Sequence, residues 1–369
     1  VRLAFVVEEV HRRGGPERVV AELASRLSRR HEVHIYGLAA RDIASRRIIF
    51  HQVRCPWKPP SFRALRFPST SARALKGETF DAVIGLGANC LAADWALLHT
   101  CQARRIRVVR ERIWPRHPPS TGARLQHMAL DRFRLRAEKR MAEKCRGRLI
   151  AVSGGLRRDF CAEYGLGEDE IAVAPSGVDS RVFRPPTSGQ EREVFRKALN
   201  LPRRAFVVLF AGESWLEGGL DCLIEAVGLC KSRPTLVVIG TGPKAQFRAI
   251  AEKAGAADRV IFAGHADHPE HYYRAANCAA VPSHEEGCSL AALEAAASGL
   301  PVVMTETGIA CDLIEDRVSG FLVPLDAAMI AGRLDRLAES RSMGERLGQE
   351  ARRSAERFTW DAQAQAVET

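Results

Sequence analysis

The sequence has no apolar run near the ~18–20 residues that a membrane-spanning helix needs. Its opening stretch, VRLAFVVEEV, meets Glu8 and Glu9 too early to form the apolar segment of a secretory signal. A cytoplasmic location is therefore expected. None of the 10 cysteines stands in a C-x-x-C pair and most lie in apolar segments, so they read as reduced, buried thiols rather than as zinc ligands or a disulfide framework. Also missing are G-x-S-x-G, G-x-x-x-x-G-K-[ST], H-E-x-x-H and any D-x-D able to hold a divalent ion against a diphosphate. Serine hydrolases, P-loop nucleotidases and zinc proteases lose their usual signatures with them.

What is present is a globular chain of 369 residues, 46% hydrophobic and 27% charged, long enough for two cores rather than one. The net charge of +11 is uneven. Residues 1–150 hold 31 Lys and Arg against 13 Asp and Glu, a net +18, which leaves −7 for the remainder. Most of the excess lies in HTCQARRIRVVRERIWPRH (99–117) and DRFRLRAEKRMAEKCRGR (131–148). Such a half attracts anions: a phosphorylated acceptor, an anionic membrane surface or nucleic acid. A solvated Arg-rich face accounts for the same residues without a partner.

Apolar runs of strand length alternate with helical-period segments along almost the whole chain, the pattern of parallel α/β layers. The first half reads as strands RLAFVV, EVHIYGL, RIIFHQV, AVIGLG, ADWALLH and RLIAVS, with a basic helix from about residue 122 to 144. The second half starts again with AFVVLFAG and continues through TLVVIG, VIFAG, CAAVPS, PVVMT and GFLVP. The expected division is 1–175, 176–353 and a terminal helix, 354–369, that returns to the first domain or stays on the second.

The most informative window is EEGCSLAALEAAASGLPVV (285–303). A strand runs through a short loop into a helix, so the backbone amides of Gly287, Cys288, Ser289 and Leu290 are expected at a helix N-terminus, where unsatisfied donors and the helix dipole bind phosphate. Glu294 falls inside the helix, within reach of a ribose attached to that phosphate, and Glu286 stands on the loop. A second turn, HRRGGPERVV, places Gly14 and Gly15 before a helix with Pro16 in its first turn, either an anion site or a tight strand-to-helix turn. His99 ends a strand at the edge where open parallel sheets bind ligands, and a buried histidine is the other reading. The stretch IGTGPKA offers Gly240-x-Gly242-x-x-Ala245, but the next strand ends in Gly264 and His265 instead of the acidic residue that a dinucleotide fold requires. Metal-free handling of a nucleotide diphosphate is the simplest remaining inference.

Taken together, GGPERVV, VSGGLRRDF (152–160), IAVAPSGVDSRVFRP (171–185), FAGESWLEGGLDCLIEAV (210–227), the E-x7-E window, TETGIACDLIEDRVSGFLVP (305–324) and FTW near the end resemble a GT-B glycosyltransferase of family 4, the retaining group that includes lipopolysaccharide-core glucosyltransferases. The resemblance implies two Rossmann-like parallel-sheet domains facing a cleft. It also implies transfer of a hexose from a nucleotide-diphosphate sugar, most simply a UDP-sugar, to a glycan or glycolipid acceptor, with no cofactor or metal. Glu294 would hold the ribose, the amides of 287–290 the diphosphate and Glu286 the sugar hydroxyls; His99 would lie beside the reacting centre, and Gly14 and Gly15 near the phosphate and acceptor. Such an enzyme would work in the cytoplasm, with peripheral contact at the inner face of the membrane through its basic domain; nucleic acid is the least supported partner. One departure stands out. Where such relatives carry an Arg and a Lys that neutralise the leaving diphosphate, this chain has Glu217 and Gly218, with Lys244, Arg12 or Arg13 as substitute cations. Ser176 also replaces the usual Asn of the P-N-G-V-D turn. The alternative expectation is therefore a weakened or inactive relative that still binds nucleotide or glycan.

Overall fold

The structure, a computed structural model, describes residues 1–41, 43, 47–55 and 60–368. They form two compact units, Val1–Gly177 together with the terminal helix, and Val178–Thr359. In the first unit the chain runs β1 (Arg2–Val6), β2 (Glu9–Val10), α1 (Gly15–Leu27), β3 (Glu32–Gly37), β4 (Ala39–Ala40), β5 (Ile48–Gln52), α2 (Pro60–Ala74), β6 (Ala82–Leu86), β7 (Trp95–Leu98), α3 (Gln102–Val108), α4 (Thr121–Lys144), β8 (Leu149–Ala151), α5 (Gly154–Tyr164) and β9 (Ile171–Val173). The second unit follows as α6 (Gly189–Ala198), β10 (Val207–Ala211), α7 (Leu220–Leu229), β11 (Thr235–Ile239), α8 (Lys244–Lys253), β12 (Val260–Gly264), α9 (Pro269–Ala275), β13 (Cys278–Val281), α10 (Leu290–Ala297), β14 (Val302–Met304), α11 (Ala310–Leu313), β15 (Gly320–Leu322), α12 (Ala327–Glu339) and α13 (Arg341–Ala355). The terminal helix is α14 (Trp360–Glu368).

Each unit is built on one parallel sheet. Their strand orders are β5-β3-β1-β6-β7-β8-β9 and β12-β11-β10-β13-β14-β15. Both wind outward from the first strand in one direction and then restart beside it in the other. The reversal falls between β1 and β6 in one sheet and between β10 and β13 in the other, and opens a crevice at the carboxyl ends of those strands, the place where such sheets take ligands. The strands were legible as unbroken apolar runs because both of their faces are covered. Along β10, Val207 and Leu209 enter a core with Tyr273, Leu293 and Ala351, while Val208 and Phe210 enter a second one with Leu223, Phe247 and Leu334.

The second unit continues to Thr359, past the expected position 353, because α13 keeps burying Leu347, Ala351 and Ala355 and the chain then seats Phe358, whose carbonyl accepts from the Val178 amide at 2.9 Å. Only then does the chain cross. In α14, Trp360 is buried beneath the Arg18 guanidinium, 5.7 Å from its ring, the Gln363 amide donates to the Ala174 carbonyl at 3.1 Å, and Glu368 pairs with Arg30 at 2.6 Å.

The basic helix α4 is capped at its start by the Ser120 hydroxyl and buries Asp131, Glu138, Met141 and Ala142 along one stripe; Phe133 and Leu135 are half-buried and Leu125 is 65% exposed. Among the described residues no helix is long and apolar enough to cross a membrane.

Candidate active site

In the second unit the loops after β10 and β13 meet at the reversal of the sheet. The loop after β10, GESWLEGG (212–219), holds two acidic residues and no cation. It is rigid. Trp215 is buried, donates from Nε1 to the Gly212 carbonyl at 2.9 Å, stacks on Phe262 and meets Phe247 edge-on. The Glu217 carbonyl accepts from the His284 amide at 2.8 Å, tying this loop to the one after β13. Gly219, at φ +70°, passes so close to the Pro282 carbonyl that a methyl group there would overlap it. Gly218 has ordinary backbone angles, but a Cβ would lie 2.9 Å from the Phe210 ring.

Glu286 and Glu294 lie on either side of the N-terminus of α10. Ser289 is the N-cap, and its hydroxyl accepts from the Ala292 amide at 3.3 Å. The helix therefore begins at Leu290, and Leu290 and Ala291 are the positions whose amides have no intrahelical acceptor. Gly287 is buried and Cys288 half-buried in the approach to the helix. Glu286 is a half-buried residue whose carboxyl accepts a long hydrogen bond from the Ser283 hydroxyl, 3.4 Å away. Burial pushes its pKa up to about 7; the Glu217 carboxylate acts in the same direction, and the Ser283 hydroxyl opposes both. Glu294, only 8% exposed, receives the Tyr273 phenol at 3.0 Å.

Three supporting residues had no role in the sequence reading: Ser283 beneath Glu286, Thr305, which donates to the Ser283 carbonyl at 2.6 Å, and Gly308, whose Cβ would lie 2.7 Å from the Glu286 carbonyl. Thr305 and Gly308 belong to the TETG turn, so a motif marked their place without saying what it supports. The glycines of IGTGPKA serve packing: Gly240, at φ +115°, lies against the Gly212 carbonyl, and a side chain at Gly242 would overlap the Trp215 indole. Lys244 is exposed at the start of α8, its ammonium 3.4 Å from where a Cβ on Gly264 would stand, at the end of β12 and two strands from β10.

The remaining sequence candidates are in the first unit. Gly14 (φ +148°) caps α1 and Gly15 (φ +67°) begins it, with Pro16 in its first turn, so both glycines hold backbone conformations that other residues rarely adopt. His99 follows β7 at the carboxyl edge. The residue is half-buried, with its Nε2 shut off from solvent and without a hydrogen-bond partner, and burial lowers its pKa to about 3. It is a neutral imidazole, able to exchange one hydrogen bond with a ligand but not to act as a standing acid.

The segment after His99 is anchored by a residue the sequence reading left in a basic face. Cys101, the N-cap of α3, provides no side-chain cap; Glu138 of α4 accepts from the amides of Gln102 at 2.8 Å and Ala103 at 3.0 Å and from the Tyr164 hydroxyl. Its position on the buried stripe of α4, seven residues from Asp131, was the available signal. Glu138→Ala strips both amides and the phenol of their acceptor, and is expected to cost about 2–4 kcal/mol. Calorimetry should show a melting transition lowered by roughly 5–12 °C; an unchanged transition would mean that the cap is dispensable.

Residues 13–182 match the family described as Glycosyltransferase Family 4, and residues 191–354 the one described as Glycosyl transferases group 1. Over 237 residues the chain is 36% identical to the D-inositol 3-phosphate glycosyltransferase of Xylanimonas cellulosilytica, covering 59% of this chain and 55% of that protein. Over 267 residues it is 32% identical to the protein of the same name from Jonesia denitrificans, covering 66% and 62%. The chain thus spans less than two thirds of the length of these relatives. Among solved structures, WaaG, a glycosyltransferase involved in lipopolysaccharide biosynthesis, superposes with a TM-score of 0.82 at 20% identity, over 99% of this chain and 98% of that one. Anabaena HepE in complex with UDP-glucose gives 0.74 at 18% identity, over 100% and 98%. At these identities the structural likeness speaks to the fold, and it is the two-unit architecture described above.

Proposed function

Because the chain belongs to the GT-B glycosyltransferases, with a family 4 domain followed by a group 1 domain, we propose that it is a retaining hexosyltransferase that uses a nucleotide-diphosphate sugar, most simply a UDP-sugar. The observation that carries this reading is the pair Glu286 and Glu294 around the N-terminus of α10, at the reversal of the second sheet. The diphosphate rests on the amides at the start of α10, without a divalent ion, and Glu294 accepts from the ribose hydroxyls. Glu286 accepts from the sugar and holds its anomeric carbon in place. The acceptor attacks from the face that the leaving phosphate vacates, and its proton passes to the departing phosphate oxygen.

The acceptor is an anionic glycan or glycolipid held by the first unit. Its net charge supports this, as does the phosphorylated substrate in the names of the two relatives. Arg112, Arg132, Arg136 and Arg140 are exposed on that unit, and its Trp114 is flanked by the guanidinium groups of Arg110 and Arg124. The same surface would rest against an anionic membrane to reach a lipid-linked acceptor.

Calorimetric titration with UDP, GDP and ADP tests the donor half. One of them should bind, and Glu294→Ala should weaken it about 10- to 100-fold, the worth of a charge-assisted hydrogen bond of ~1.5–3 kcal/mol. If none of the three binds, the reading fails. A second reading, a relative that binds donor with little turnover, is favoured by one observation only, the acidic loop with Glu217 and Gly218.

A further inference from the structure

We infer that Tyr273 is a positioning residue for the donor: its phenol orients the Glu294 carboxylate so that the nucleotide's ribose hydroxyls are recognised. The inference rests on the proposed donor reading and names the group that makes Glu294 selective. Tyr273 lies on α9, is fully buried, and donates to Glu294 Oε2 at 3.0 Å in a buried environment. The Ala291 carbonyl lies farther from the phenol, at 3.4 Å, a longer and weaker contact. The ring is packed edge-on against Phe183, with centroids 5.5 Å apart.

A carboxylate at the end of a glutamate rotates freely, because its last torsion is broad and nearly two-fold. One hydrogen bond from a fixed donor removes that freedom, sets the carboxylate plane and directs the remaining lone pairs. A ribose, with hydroxyl hydrogens to give, then fits; a sugar lacking one loses an acceptor that cannot turn elsewhere. A merely structural tyrosine would support α10 equally for every nucleotide.

The test is a thermodynamic cycle on the full chain, with UDP and 2′-deoxy-UDP as probes and the guanosine or adenosine pair in their place if that base binds. Tyr273→Phe keeps the ring and removes the hydroxyl. It should weaken UDP about 10-fold but 2′-deoxy-UDP by no more than about 2-fold, so the preference for ribose shrinks. In a Glu294→Gln background the same change should cause no further loss of the preference for ribose. Glu294→Gln alone approaches the pair from the other side and serves if the phenylalanine variant does not fold. The tyrosine would take the amide oxygen and turn the NH2 toward the sugar, so discrimination between the two nucleotides should fall to within about 2-fold. Equal weakening of both nucleotides by Tyr273→Phe, no weakening of either, or a Glu294→Gln protein that keeps its ribose preference would overturn the inference. A parent protein that binds no nucleotide overturns the donor reading, and this one with it.

Discussion

Glu286→Gln should lower transfer by about 10²–10³-fold while leaving nucleotide affinity within a few fold, because the carboxylate acts on the sugar and not on the nucleotide. Glutamine preserves the shape of the side chain and its contact with Ser283, but it removes the charge and replaces one acceptor with a donor. A misplaced anomeric carbon then loses the alignment on which displacement depends. Since the pKa of Glu286 is about 7, turnover should rise with pH through neutrality and level off once the carboxylate is ionised. The variant should be flat over that range.

Stability should run the opposite way. A carboxyl raised from 4.5 to about 7 on folding binds its proton more tightly in the native state, so it stabilises the fold fully below pH 4.5 and loses that contribution as pH rises through 7. The upper bound is about 3 kcal/mol, at 1.36 kcal/mol for each pKa unit. Kinetics and thermal unfolding measured at intervals from pH 5.5 to 8.5 check both signs. A parent rate that does not change with pH, or a glutamine variant with half the parent activity, would remove Glu286 from the role given to it.

The doubled α/β plan was legible because covered parallel strands announce themselves as apolar runs, VVLFA, TLVVI and CAAV among them. The turn into α10 was legible for a local reason: a strand, a loop with Gly287 and a helix all fall within one window. Tyr273 and Thr305 were not, since they act on residues brought near only by the sheet: Tyr273 stands 21 residues from Glu294, and Thr305 stands 22 from Ser283. The neutral state of His99 and the raised pKa of Glu286 follow from burial, which no spacing encodes. Conversely, Gly240-x-Gly242 shows a pattern outliving its usual meaning. Glycine is needed there because a neighbouring carbonyl and an indole fill the space of a side chain.

Glu217→Arg should raise turnover by up to about 10²–10³-fold, the scale of one preorganised group acting on charge that develops in the transition state. The loop is fixed by the backbone bond from His284 to the Glu217 carbonyl, by Trp215 and by Gly219 against Pro282, none of which involves the Glu217 side chain. Gly218→Lys is the less clean repair, since a Cβ 2.9 Å from the Phe210 ring forces that ring to move. The arginine would act twice: it would neutralise the departing diphosphate, and it would replace the negative neighbour that helps hold Glu286 up with a positive one. The rising limb of the pH–rate profile should therefore move to lower pH along with the gain in rate, and Glu217→Gln should move the limb the same way with a smaller gain. Donor hydrolysis followed across pH for the three proteins separates the two effects. A limb that moves without any gain would mean that the diphosphate is neutralised elsewhere in this chain, whereas a gain without a shift would show that Glu217 and Glu286 do not sense one another.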